Sequence, residues 1–210
     1  MKVTSTQEVR EFYDGAANSY NEMMDEEIAL PMYAKVLGAL AKQITARDGG
    51  VLDTACGSGH MLELLKDKYA QGRALYGVDL SPAMAAISRQ RLGDAATIVE
   101  GDMGDLRHLG DDSCAAVLNY FALHHVDLAK MFACFAEWHR VLKQGGTLLV
   151  ATWAGEGCID YGEELDVIAL RYQPEQVTEA ASAAGFRINS ITVEPVQGME
   201  MNAVNLTASK

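Results

Sequence analysis

The feature that most constrains this chain is a short stretch, residues 51–62, in which an apolar run meets a glycine-rich turn. The run opens with Val51 and Leu52, as a buried parallel strand does. It ends in Gly57-Ser58-Gly59, where the missing side chains let backbone N–H groups approach a ligand closely. Helix-favouring residues follow, so the stretch predicts a strand, a tight turn and a helix whose N-terminus faces the ligand.

Asp79 marks a second strand end, because it closes the apolar run of residues 74–78 and lies 20 residues after Gly59. At this spacing, nucleotide-binding α/β folds place a carboxylate that accepts hydrogen bonds from ribose hydroxyls. A dinucleotide site would also need a third glycine for close helix–strand packing, yet Leu62 stands at that position. A nicotinamide-dependent oxidoreductase is therefore disfavoured.

The sequence Asp53-Thr54-Ala55-Cys56-Gly57-Ser58-Gly59 resembles the first motif of class I S-adenosylmethionine (SAM)-dependent methyltransferases, an acidic residue followed by x-G-x-G-x-G. Ala55 replaces the first glycine, and a small residue still fits there. The resemblance implies SAM as the cofactor. The residues that it implies bind SAM in this part of the chain are Asp53, Ala55, Gly57, Gly59, Asp79 and Leu80.

The resemblance continues after the third and fourth predicted strands. Residues 96–100 lead into Asp102 and Met103, at positions where the family faces an aspartate to the adenine amino group and packs the next residue on the ring. Residues 114–118 lead into Asn119, the family's polar residue that closes the cofactor pocket. Because ligands of open α/β sheets bind beyond the carboxyl ends of strands, residues 119–125 should line the site.

His124 and His125 are the candidate catalytic residues, should the acceptor have to lose a proton. His125 is preferred, by analogy with the family, and should also contact the substrate; Tyr13, Tyr20 and Tyr161 are further candidates. The alternative is a structural role for either histidine, such as capping the turn after the fourth strand. Methyl transfer is largely a matter of holding nucleophile and methyl group close and aligned, so a base is not required.

The first 45 residues are predicted to be helical, with a break at Pro31. Their tyrosine spacing resembles the N-terminal segment of small-molecule methyltransferases, which folds over the SAM pocket. The resemblance places Tyr20 near the methionine part of SAM, and Tyr13, Met24 and Tyr33 should contact the acceptor. The alternative is that these residues form the apolar stripe of an amphipathic helix.

Composition limits the partners. The net charge is −12 without a basic run, which argues against nucleic acid as substrate. No apolar run approaches the roughly 20 residues of a membrane span. Four cysteines without metal-ligand spacing, and no apolar signal segment, favour a reduced, cytoplasmic setting and no metal site.

The 210 residues should form one α/β domain: a helical lid in residues 1–45 and a core in residues 46–210. Carried over from the family, the fold is a three-layer Rossmann-like sheet of seven strands in the order 3-2-1-4-5-7-6, one of them antiparallel. The last elements are expected at residues 128–142 and 174–184 as helices, and at 147–153, 186–193 and 204–209 as strands.

The function predicted from the sequence is SAM-dependent methyl transfer to a small-molecule acceptor, mainly by proximity and orientation, in a monomer or homodimer. The soft aromatic cover of the N-terminal segment favours a flat or apolar acceptor. The alternative is a SAM-binding protein without transferase activity, such as a regulator or an inactive partner. The glycine turn, Asp79 and Asp102 suit both functions equally.

Overall fold

The structure is a computed structural model and describes residues 4–44, 47–70, 72–159 and 167–210. The helices are α1 (Thr6–Glu27), α2 (Pro31–Ile44), α3 (His60–Leu64), α4 (Pro82–Leu92), α5 (Leu128–Val141) and α6 (Pro174–Ala183). The strands are β1 (Gly50–Asp53), β2 (Leu75–Asp79), β3 (Ala96–Glu100), β4 (Cys114–Tyr120), β5 (Leu142–Trp153), β6 (Cys158–Ile159), β7 (Ala169–Leu170), β8 (Arg187–Pro195) and β9 (Asn202–Ser209). A π-helical turn, Leu65–Tyr69, continues α3, and 3₁₀ turns span Gly93–Ala95 and Leu123–His125.

Seven strands form the central sheet in the order β3-β2-β1-β4-β5-β9-β8. Strands β1 to β5 run parallel to one another, and β9 runs antiparallel to both β5 and β8. The short strands β6 and β7 pair only with each other. Counted along the central sheet, the order is 3-2-1-4-5-7-6, which confirms the predicted α/β fold.

Helices cover both faces of the sheet, so its parallel strands are buried on both sides. On one face, α5 and α6 pack on β4, β5 and β9 around Phe135 and Trp138, both fully buried. On the other, α2, α3 and α4 pack around Leu37, Leu40 and Leu62. Helix α2 therefore belongs to the core. Of the two N-terminal helices that were expected to cover the site, only α1 remains as a candidate.

Several element bounds differ from those expected. Strand β5 begins at Leu142, not Thr147, because Leu142 pairs with Cys114 across a register shift in front of the glycine pair. The helix after the glycine turn is α-helical only to Leu64 and then widens into the π-helical turn. Strand β8 continues to Pro195 and strand β9 begins at Asn202, so the loop between them is shorter than expected. Apolar patterning does not encode these register effects.

Candidate active site

The glycine turn after β1 adopts the backbone that its sequence requires. Gly57 and Gly59 have φ values of +51° and +88°, a region that favours glycine. The Gly57 N–H donates to a carboxylate oxygen of Asp79 at 2.7 Å, and a Cβ on Gly57 would lie 3.3 Å from the Tyr20 ring. A Cβ on Gly59 would instead lie 2.6 Å from the Ser88 hydroxyl of α4. Gly59 thus allows α4 to pack closely against the turn, whereas Gly57 lines the first cavity, which is described next.

Asp79 holds this turn to the next one. Its second carboxylate oxygen accepts the Ser81 N–H at 2.9 Å. Burial raises the pKa of Asp79 to about 6, more than its two backbone hydrogen bonds lower it, and the charge of Asp14 adds to the rise. Asp79 lines a first cavity at the carboxyl ends of the strands. The predicted residues among its other walls are Tyr13, Tyr20, Ala55, Gly57, Leu80, Asp102, Met103 and His125.

Asp53, at the end of β1, lines a second cavity next to the first. The Ala55 N–H donates to its carboxylate at 3.2 Å. Burial raises the pKa of Asp53 to about 7, and the nearby charge of Asp79 contributes. Two carboxylates with raised pKa values therefore lie on adjacent walls, where a ligand that carries positive charge and hydroxyl groups would be favoured.

Both carboxylate oxygens of Asp102 accept hydrogen bonds from other residues of the protein. One oxygen accepts from Lys130 Nζ at 2.5 Å and the other from the Gly104 N–H at 2.8 Å. Lys130 also donates to Thr6 of α1 at 3.1 Å, so it joins the cavity wall to the N-terminal helix. Asn119 lies behind the wall, fully buried, and donates to Thr54 Oγ1 at 3.0 Å. It supports the walls and does not line any of the cavities described.

The two histidines share a 3₁₀ turn but line different cavities. His125 lies on the first cavity, with Nε2 2.8 Å from the Tyr13 hydroxyl. His124 lies on a third cavity. Burial lowers the pKa of His125 to about 4 and that of His124 well below its ordinary value. Both are neutral at pH 7 and are weak bases. Tyr161 lies outside the described residues.

The third cavity lies against α1, α2 and the ends of β4 and β5. It includes the predicted acceptor residues Tyr13, Met24 and Tyr33. Tyr20 and Phe121 are walls of all three cavities, so the cavities meet at these two rings. Phe121 has a φ of +55°, an uncommon conformation for a residue with a side chain, and its N–H donates to the Ala151 carbonyl at 2.8 Å.

Helix α1 is fastened across the cavities by polar contacts. The Asp14 carboxylate accepts from the Ser81 hydroxyl at 2.5 Å and from the Ala83 N–H at 3.1 Å, at the N-terminus of α4. Further along, Asp25 contacts His60 Nε2 at 2.7 Å and Arg91 at 2.8 Å. The helix is thereby tied to both the glycine turn and α4.

Three wall residues had no individual role in the sequence analysis. Lys130 gave no signal, because its partner lies 28 residues away. Trp153 could have been found, since it ends β5 and the carboxyl-end rule applies to it. Phe121 fell within the predicted lining stretch, but nothing in its sequence indicates a positive φ.

Within the described residues, no helix is long and apolar enough to cross a membrane. No group of three or more potential metal ligands was found in the same part of the chain. A cytoplasmic location and the absence of a metal stay predictions.

The sheet order, the glycine turn and Asp79 define a protein with the class I methyltransferase fold. A family model described as a methyltransferase domain matches residues 52–150. The demethylmenaquinone methyltransferase of Symbiobacterium thermophilum is 30% identical over 149 residues, which cover 68% of this chain and 58% of that relative. The chain spans 58% to 72% of the lengths of the first curated relatives that it matches.

Two solved structures share the fold. The 1,6-didemethyltoxoflavin-N1-methyltransferase of Burkholderia thailandensis, with bound 1,6-didemethyltoxoflavin and S-adenosylhomocysteine, has a TM-score of 0.77 at 19% identity, over 100% of this chain and 92% of that one. The [4+2]-cyclase SpnF has a TM-score of 0.75 at 20% identity, over 100% and 98%. Residues 52–150 thus belong to a methyltransferase domain with the class I fold, and the cofactor is S-adenosylmethionine, as the sequence indicated.

Proposed function

We propose that the protein transfers the methyl group of SAM to a small molecule bound in the third cavity. The observation that carries this proposal is the meeting of the three cavities at Tyr20 and Phe121. A cofactor in the first two cavities and an acceptor in the third would meet beside these rings. The 1,6-didemethyltoxoflavin-N1-methyltransferase, a structural neighbour with bound 1,6-didemethyltoxoflavin, supports a small molecule as the acceptor.

The residues present fit the cofactor. SAM offers a ribose diol, an adenine and a positively charged methionine group, and it supplies a methyl group on an electrophilic sulfonium. Asp79 would accept from the diol, and Asp53 would face the positive charge, which offsets the cost of burying both carboxylates. Asp102 and Met103 would flank the adenine. The left-handed turn at Gly57 leaves the backbone free to approach.

The chain's contribution to transfer would be orientation and exclusion of water. Aromatic and methionine side chains surround the junction, and alignment of reactants can supply a large part of a rate enhancement. His125, with a pKa near 4 and its Nε2 at the Tyr13 hydroxyl, is too weakly basic to deprotonate an alcohol readily at pH 7. The catalytic role predicted for His125 and His124 therefore stays a prediction. Tyr13, which lines both the first and the third cavity, would contact the acceptor, and His125 would lie behind it on the cofactor side.

Helix α1 is the proposed cover of the site. It contributes Tyr13, Tyr20 and Met24 to the cavity walls, and its polar contacts to α4 and the glycine turn are reversible hydrogen bonds and ion pairs. Ligand entry would require some of them to open. Amide hydrogen exchange should show faster exchange in α1 without ligand than with S-adenosylhomocysteine, and equal protection in both states would contradict the proposal.

The experiment for the function is turnover. Calorimetry with SAM comes first, followed by an acceptor panel in which S-adenosylhomocysteine formation is measured. An Asp79→Ala variant should lose both signals, whereas Asp94→Ala, in an exposed turn, should keep them. Absence of SAM binding in the wild type would refute the proposal.

The second candidate is a SAM-binding protein that does not transfer the methyl group. It is favoured by the fold of SpnF, since a protein described as a [4+2]-cyclase shares this architecture. Formation of S-adenosylhomocysteine with any acceptor excludes it. SAM binding without such formation across neutral, cationic and anionic acceptors would favour it instead.

A further inference from the structure

The third cavity has almost no charge on its described walls. Glu27 is the one acidic side chain among them, and none of them is a lysine or arginine. The Tyr33 hydroxyl lies 3.5 Å from the Glu27 carboxylate. An anionic ligand would lose its hydration here and meet a negative charge without a compensating cation. The cavity therefore selects against phosphorylated or carboxylate-bearing molecules.

Two residues that line this cavity each carry a buried polar atom without a hydrogen-bond partner. They are Trp153, through its indole N–H, and His124, through Nδ1, and the two residues are only 7% and 4% exposed. Burying such an atom unpaired is costly, so an unpaired atom in a native structure calls for an explanation. Indole is a donor only, and its complement is an oxygen or nitrogen acceptor on a ligand.

The remaining walls suit a flat ring. The Phe121 and Trp153 rings lie 4.5 Å apart between centroids, and the Trp153 and His124 rings 6.1 Å apart. Met23, Met24, Met32 and Met199 supply adaptable apolar surface around them. Aromatic ligands gain from stacking against such rings as well as from burial.

We infer that the acceptor is a flat ring compound without negative charge that carries a carbonyl-type oxygen or a ring nitrogen, and that the Trp153 N–H donates a hydrogen bond to this atom. The inference rests on the proposed function, because it identifies the third cavity as the acceptor site. Trp153 is thus a specificity-determining residue, and it distinguishes an acceptor from a hydrocarbon of the same shape.

The test uses three naphthalene probes on protein saturated with S-adenosylhomocysteine. 2-Acetylnaphthalene carries the oxygen, 2-ethylnaphthalene has a similar shape without it, and 2-naphthoate carries a negative charge. Binding is measured by calorimetry or ligand-observed NMR. The wild type should bind the ketone about fivefold to tenfold more tightly than the hydrocarbon, from one additional hydrogen bond. 2-Naphthoate should bind more weakly than the ketone.

The Trp153→Phe variant keeps an aromatic ring and removes the N–H. It should bind ketone and hydrocarbon within twofold of each other, with hydrocarbon affinity close to that of the wild type. Trp138→Phe is the matched control, because the Trp138 N–H is already satisfied by the Met103 carbonyl at 2.9 Å. That variant should retain the preference for the ketone.

Three results would overturn the inference: no ketone preference in the wild type, an undiminished preference in Trp153→Phe, or naphthoate binding as tight as that of the ketone. The first and third need no variant, so they hold even should Trp153→Phe fold poorly. Failure of S-adenosylhomocysteine to bind in the initial titration would count against the proposed function itself. Its binding without the expected probe preference would overturn only the acceptor inference.

Discussion

Replacing Asp53 by asparagine should make the folded protein more stable at neutral and basic pH. Asp53 is buried at the end of β1, where its carboxylate accepts one backbone hydrogen bond, from Ala55. Burial raises its pKa from 3.8 to about 7, so the ionised form is disfavoured on folding. Asparagine has nearly the same shape and carries no charge, which removes this cost.

The magnitude follows from the pKa shift. A carboxyl whose pKa is raised by folding contributes stability that is fully present below the unfolded-state pKa and is lost as pH rises through the folded-state pKa of about 7. Each pKa unit corresponds to about 1.4 kcal/mol. Between pH 8 and pH 5, protonation of Asp53 should therefore raise the free energy of unfolding of the wild type by roughly 2–3 kcal/mol. The Asp53→Asn variant lacks this gain.

The measurement is guanidinium unfolding, followed by circular dichroism at pH 8, 6.5 and 5. The quantity of interest is the difference between variant and wild type, since His60, His124 and His125, whose buried side chains have lowered pKa values, titrate in both proteins. This difference should be largest at pH 8 and shrink by about 2–3 kcal/mol at pH 5. Asp94→Asn, the same substitution in an exposed turn, is measured beside it as the control. A difference for Asp53→Asn that is constant, or grows toward pH 5, would refute the reasoning.

Three further predictions concern the turn and the cavity junction. Asp79→Ala removes the carboxylate that accepts two backbone N–H groups and, as proposed, the hydroxyls of the ribose, so calorimetry should show SAM binding weaker by about 2–3 kcal/mol. In the wild type, SAM affinity should fall as pH drops below about 6, because Asp79 becomes protonated. An affinity within twofold of wild type in that variant would contradict the assignment. Gly59→Ala should lower the free energy of unfolding by about 1 kcal/mol or more, from the positive φ and the close approach to Ser88, and an unchanged melting temperature would show that the turn relaxes freely. Phe121→Gly should have a free energy of unfolding about 1 kcal/mol higher than that of Phe121→Ala, because both lose the ring and only glycine relieves the left-handed backbone. The opposite order would mean that Phe121 carries no strain.

Much of the fold could be predicted because its signals are local. Ser81 caps α4 through the Met84 N–H, and Pro82 occupies the first turn, as their positions in the sequence indicated. The strand order followed from the family resemblance. The early start of β5 could not be predicted, since it depends on pairing with Cys114 across the sheet. The π-helical turn after α3 gave no apolar pattern of its own.

The site was predictable where it follows strand ends and unpredictable where it depends on α1. Asp53 and Asp79 end β1 and β2, Asp102 lies two residues after the end of β3, and parallel strands bring such residues together. The contacts of Asp25 with His60 and Arg91 join residues 35 and 66 positions apart. No periodicity or spacing in the sequence links such residues, so the polar contacts that hold α1 in place could be identified only from the structure.

The features that cost stability lie together, and this supports one ligand site. Asp53 and Asp79 are buried with raised pKa values, Phe121 holds a left-handed backbone, and the Trp153 N–H is buried unpaired. Each cost is one that selection for folding alone would remove, by asparagine, by glycine or by phenylalanine. Phe121 lies on all three cavities, and each of the others lies on at least one. A positively charged cofactor and a hydrogen-bond-accepting acceptor would offset the burial of the carboxylates and of the indole N–H. The strain at Phe121 would be retained because its ring lies where the cofactor and acceptor cavities meet.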